Sequence, residues 1–132
     1  MKSPIRIILL ILGFIMLFSE GFMGLPFLGG TYVLSLGWAP LGSNISIYII
    51  MLLITALDRS NEARFSLSTI AVVGIIANAI AFIPVVGMFM HWLMFFLMLV
   101  YIGIVLNTRE YRGNTTHYNS RRAGETVREY KN

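Results

Sequence analysis

Three polar side chains stand inside apolar sequence and mark where this 132-residue chain could do chemistry: Glu20, Asn78 and His91. Glu20 is the only acid within such a stretch. An ionisable residue in a membrane span is by default a candidate functional site, because the bilayer disfavours its charge. A carboxyl there could carry a proton or a small cation. The competing expectation, which we favour, is that Glu20 lies near the outer end of its helix and reaches the lipid headgroups, since Gly21, Gly24 and Pro26 bring water close. Asn78 sits deep in a later apolar run, where an amide hydrogen-bonds across helices. His91 stands between Met90 and Trp92, and Met90, Met94 and Met98 recur at helical spacing. Thioether and imidazole are the soft ligands that suit Cu(I). Methionine is also an ordinary filler of packed helices, which is the reading expected here, and His91 beside Trp92 is expected at the outer interface.

No catalytic arrangement accompanies these residues. There is no nucleophile paired with a base, no carboxylate pair and no phosphate loop. Cysteine is absent, which removes disulfides, thiolate metal sites and a cysteine nucleophile. We expect a protein that is not an enzyme and that holds no metal or cofactor. The Met-x-x-x-Met spacing resembles that of membrane copper transporters over those few residues only. The chain is similar in size to compact four-span multidrug exporters, which also carry an acid in the first span; their other characteristic residues are not recognisable here.

The elements that must position these groups are apolar helices. The chain is 57% hydrophobic and only 12% charged, with a mean hydropathy of +0.76. A soluble domain carries about a quarter charged residues. The run from Phe65 to Leu106 contains no Asp, Glu, Lys or Arg. A bilayer core about 30 Å thick needs roughly 20 apolar residues as helix, so this run reads as two spans with a turn at Pro84 to Gly87. We expect an all-α membrane protein with four transmembrane helices arranged as two hairpins. The spans are placed at 5–24, 41–57, 65–83 and 86–106. Between the first two, residues 25–43 form an apolar outer loop, interfacial or re-entrant, with Tyr32 and Trp38 at headgroup depth, or equally a kinked, extended start of the second helix bent near Pro40. The Ser19-Glu20-Gly21 junction is a poor cleavage site, so the first span is expected to be retained rather than removed as a signal peptide.

Charge sets the orientation. All ten Lys and Arg fall at the N-terminus, near residue 60, or in the tail. The positive-inside rule then places both termini in the cytoplasm of a multi-pass cell-membrane protein. Arg6, Arg64, Arg109 and Arg112 are the expected headgroup contacts. Residues 107–132 hold six basic and three acidic residues with few core formers, and are expected to be a disordered, basic cytoplasmic tail. This juxtamembrane charge gives the basic balance a partner in the lipid bilayer rather than in nucleic acid.

Two further patterns concern packing. Gly13 and Gly24 share the Glu20 face, and Ala71, Gly74 and Ala81 share the Asn78 face; small residues let helix backbones approach. Arg6 and Arg64 each stand 20 residues before a proline, Pro26 and Pro84, and each proline opens a Pro-x-x-Gly piece. At this offset Glu20 aligns with Asn78, as in a parallel repeat of two helix pairs with an insertion around Trp38 to Asn44; the competing expectation, which we favour, is that any two helix pairs crossing the same thickness share this spacing. The function expected from these features is that of an accessory or scaffold subunit, packing with a second copy or a larger membrane partner. The alternative is a small oligomeric transporter or channel that uses Glu20 and Asn78.

Overall fold

Proline marks where the helices of this chain begin. Its missing N–H is harmless in a first helical turn, and its fixed φ suits the helix. The computed structural model of the protein describes residues 1–109, the side chain of Pro84 excepted. The expected disordered tail, with Arg112, falls outside the described residues beyond that point. Five helices are present: α1 (Ser3–Met23), α2 (Leu28–Ser35), α3 (Ala39–Leu57), α4 (Arg64–Ile80) and α5 (Pro84–Asn107). No strand occurs among the described residues. Pro4, Pro40 and Pro84 each lie in the first turn of a helix.

Three helices, α1, α3 and α5, are long and apolar enough to cross a membrane. The fourth, α4, has 17 residues and falls short of that length. It ends at Ile80 rather than at residue 83. The break that the sequence places at Pro84 to Gly87 lies instead just before Pro84, which is the first residue of α5. The cause is local: a residue preceding proline is pushed out of the helical region, and Ile83 is extended at φ −89°, ψ 114°.

The stretch 25–43 differs from the expected loop. It holds α2, and α3 already starts at Ala39. Glycine here does not prevent helix formation. It lets α2 lie close: a Cβ on Gly29 would overlap the Met23 carbonyl group. The ends of α2 are sharp. Phe27 has φ 66°, Gly37 φ 58° and Trp38 φ 67°. Two of these are non-glycine residues in the left-handed region, which costs about 1–2 kcal/mol apiece.

Buried positions on the long helices alternate by three and four residues: Leu9, Gly13, Met16, Glu20 and Met23 on α1; Leu41, Asn44, Tyr48, Met51 and Thr55 on α3; His91, Met94, Met98, Tyr101 and Val105 on α5. This is the seam spacing of helices packed at shallow angles. The most extensive packing pairs α1 with α5 and α3 with α4, followed by α4 with α5. The helices joined through the first outer connection, α1 and α3, touch much less. Outward faces carry large apolar side chains, among them Ile11, Phe18, Leu53, Phe65 and Phe96.

The residues expected on packing seams sit at close approaches. A Cβ on Gly13 would lie 3.1 Å from Ile102, and one on Gly74 would lie 2.6 Å from the Tyr48 ring. Gly24 abuts Trp92, whose indole N–H donates to the Gly24 carbonyl at 3.0 Å. Ala71 and Ala81 are buried. At the opposite end of the bundle, the Arg6 guanidinium donates to the Leu106 carbonyl at 2.6 Å. The Met1 amine donates to the carbonyls of Ser60 and Arg109. The Arg64 and Arg109 side chains are exposed.

Candidate functional site

Glu20 is the centre of the site and has 0% exposure. This corrects its expected place at the headgroups. A helical side chain leans back toward the N-terminus of its own helix. On α1 that direction leads from the helix end into the bundle, away from the water that Gly24 and Pro26 were expected to admit.

Four side chains from three other helices meet the carboxylate. Oε1 accepts from the Tyr48 hydroxyl at 2.9 Å, from Asn78 Nδ2 at 2.8 Å and from Asn44 Nδ2 at 3.3 Å. Oε2 lies 2.5 Å from His91 Nδ1. Donors converging on one oxygen replace the water that burial removes, and a bare buried carboxylate would be strongly unfavourable. The contact to imidazole is the shortest of the four contacts to the carboxylate. A second tier holds the first: Ser19 Oγ donates to Asn44 Oδ1 at 2.8 Å, and Asn78 Nδ2 also reaches the Gly74 carbonyl at 3.0 Å. Asn78 Oδ1 and the Tyr101 hydroxyl are buried without a hydrogen-bond partner.

Each helix contributes because a polar residue takes a core seat. Asn44 and Tyr48 are one turn apart on α3, and both face α1. Tyr48 lies flat against α4 because Gly74 leaves room for its ring. Asn78 stands one turn beyond Gly74. His91 occupies the first buried position of the α5 series given above. The structure therefore brings together Glu20, Asn78 and His91, which the sequence singles out, and adds Asn44, Tyr48 and Ser19, which it does not. The missed signal was positional: Asn44 and Tyr48 fall on the same seam as Leu41, Met51 and Thr55.

The methionine stripe is not one surface. Met94 and Met98 are core side chains with 0% exposure, while Met90 lies off that seam and is half-buried. Buried positions alternate by three and four, so a strict four-residue repeat drifts across the seam.

A cavity of about 360 Å³ opens beside the network. Its walls come from the end of α1, from α2 and its hinges, and from the first turns of α5, with His91 among the lining residues. Trp38, stacked on Phe82 at a centroid distance of 5.2 Å, ties the α2–α3 junction to the turn before α5. The lining is apolar apart from His91 and backbone groups. Among the described residues, no three or more His, Cys, Asp and Glu side chains gather into a group that could hold a metal ion.

Comparison with known proteins gives no match: no family model fits this chain, and no curated protein or solved structure is significantly similar to it.

Proposed function

We propose that this chain is a small multi-pass membrane transporter whose working centre is the Glu20–His91 pair. In this reading α1, α3, α4 and α5 all cross the bilayer, with both termini cytoplasmic and the cavity at the outer side. A 17-residue α4 rises about 25 Å, and a short span is accommodated by local thinning of the bilayer. One observation carries the proposal: the single acid of the apolar bundle is wholly buried, bound by imidazole, phenol and two amides, and in contact with His91, which lines a cavity. Intramembrane ionisable groups that face the bundle interior and pair with one another are characteristic of proton and ion pathways. Glu20 and His91 share a contact through which a proton can pass between carboxylate and ring, and only the ring reaches the cavity. Such a pair offers a place to hold and release a proton as cargo enters or leaves.

The accessory-subunit expectation drew on the small-residue faces and placed Glu20 at the headgroups; the burial of Glu20 favours the transport reading instead. The network also closes within one chain, so the site needs no second copy to complete it. The test is proton movement in proteoliposomes carrying an internal pH dye. The native protein should dissipate an imposed pH gradient faster than empty vesicles. Glu20→Gln, a near-isosteric change, should abolish that movement while keeping the helical content and elution profile of the native protein. Native protein indistinguishable from empty vesicles would count against transport.

A further inference from the structure

The cavity above His91 has a soft chemistry that neither the fold nor the proton pair requires. The geometry points to a binding site for a soft monovalent metal ion, Cu(I) or Ag(I), formed by Met23, Met88 and His91 at the inner end of that cavity. All three residues line it. Their register places them together. Met23 stands one turn beyond Glu20 on α1, and Met88 one turn before His91 on α5. The two helices pack closely, run in opposite directions and meet where Glu20 touches His91. The two thioethers therefore form the next layer outward from the carboxylate–imidazole contact. Met23 Sδ is held beside the network, 3.8 Å from Asn44 Nδ2.

The donor set decides the class of ion. Two thioethers and one imidazole are soft, and such ligands select Cu(I) over hard cations, which need carboxylate or carbonyl oxygen. His91 is prepared for the role. Its Nδ1 is taken by Glu20, which leaves Nε2 as the nitrogen open to a ligand. A carboxylate behind a ligating histidine fixes the tautomer and makes the ring a better donor. Thioethers carry no charge, and the Glu20 carboxyl lies directly behind the imidazole. Trp38 lines the same space, and an indole face attracts a cation. The site is distinct from the Met90, Met94 and Met98 spacing, two of whose members are sealed in the core.

The inference names a cargo for the transport reading and rests on it for the ion's onward movement; binding is tested separately. Purified full-length protein in detergent is titrated with Ag(I) by calorimetry. The Cu(I)-loaded protein, prepared without oxygen, is examined by X-ray absorption. We expect one ion per chain, with two sulfur scatterers and one nitrogen scatterer in its shell. Met23→Leu and Met88→Leu keep side-chain volume and should each weaken Ag(I) binding at least tenfold. Met90→Leu should leave it unchanged. Absence of binding, a shell without sulfur, or equal affinity in all three variants would overturn the site. The absorption spectrum of the native protein keeps the test decisive if a variant misfolds. Proton movement measured on the same preparation separates the two proposals: flux without Ag(I) binding sinks only the metal site, and binding without flux sinks only transport.

Discussion

Residues 3–57 and 64–107 follow one plan, and the chemistry sits where they depart from it. At the offset of 58 residues that separates Glu20 from Asn78, buried Leu9, Gly13, Met16, Glu20 and Met23 correspond to buried Leu67, Ala71, Gly74, Asn78 and Ala81. The outer turns match as well. The Gly29 N–H donates to Leu25 O at 3.0 Å, and the Gly87 N–H donates to Ile83 O at 2.6 Å. A Cβ on Gly29 would overlap the Met23 carbonyl, and one on Gly87 would meet the Ala81 carbonyl oxygen at 2.5 Å. The packing repeats between the halves, α1 against α5 having its counterpart in α4 against α3, but not within them, since α4 packs on α5 more than α1 packs on α3. Two differences stand out. The first half has a carboxylate where the second has an amide, and it carries the extra helix α2. The first difference puts charge on the bundle axis; the second builds the cavity beside it. The site also needs the polar residues that each half places on its second helix, Asn44 and Tyr48 on α3 and His91 on α5.

The sharpest way to break this correspondence is at the turns. Gly29→Ala and Gly87→Ala should each force backbone apart and cost above about 3 kcal/mol, the upper end for overpacking. Thermal unfolding in mild detergent measures both. If Gly87→Ala is damaging and Gly29→Ala harmless, the two turns are not equivalent.

The next effect should separate the two large interfaces. Gly74→Ala drives a methyl into the Tyr48 ring at 2.6 Å and should cost about 2 kcal/mol, while also drawing the Tyr48 hydroxyl away from Glu20. Gly13→Ala meets a single Ile102 side-chain carbon, Cγ1, at 3.1 Å and should cost less than about 1 kcal/mol. Equal losses would mean that the α3–α4 contact is no tighter than the α1–α5 contact at these glycines.

A similarly modest effect is expected at the amide itself. Asn78→Leu removes one donor from Glu20, and interhelical hydrogen bonds in membranes contribute only about 1 kcal/mol. Two other donors remain on the same oxygen, so stability should fall by roughly that amount. Unchanged stability would place the carboxylate elsewhere.

Much of this scaffold was legible in the sequence. Apolar run length gave the long helices, and small residues at three- and four-residue spacing gave Gly13, Gly74 and Ala71. The Arg–proline spacing hinted at the repeat, although any two helix pairs of equal thickness would share it. The site was legible only in part. Glu20, Asn78 and His91 stood out because polar groups are rare in apolar runs, but nothing in their spacing says that they meet. Glu20 was read from its distance to the helix end, which ignores the lean of the side chain back along its helix. Asn44 was passed over because it stood at the edge of an expected loop, and α2 because Gly-rich sequence is a poor indicator of helix. Its cause is tertiary, the close approach of Gly29 to α1.

The central claim is that Glu20 lies inside the bundle against His91. Solid-state NMR of protein labelled with ¹³C-glutamate and ¹⁵N-histidine, reconstituted in lipid, tests it directly. There are only two histidines, so the ring signals are few. The account predicts one strong carboxyl-to-ring coupling that disappears in Glu20→Gln and persists when a headgroup-bound paramagnetic ion is added. A Glu20 carboxyl with no coupling to a histidine ring, and with its signal broadened by that ion, would contradict it.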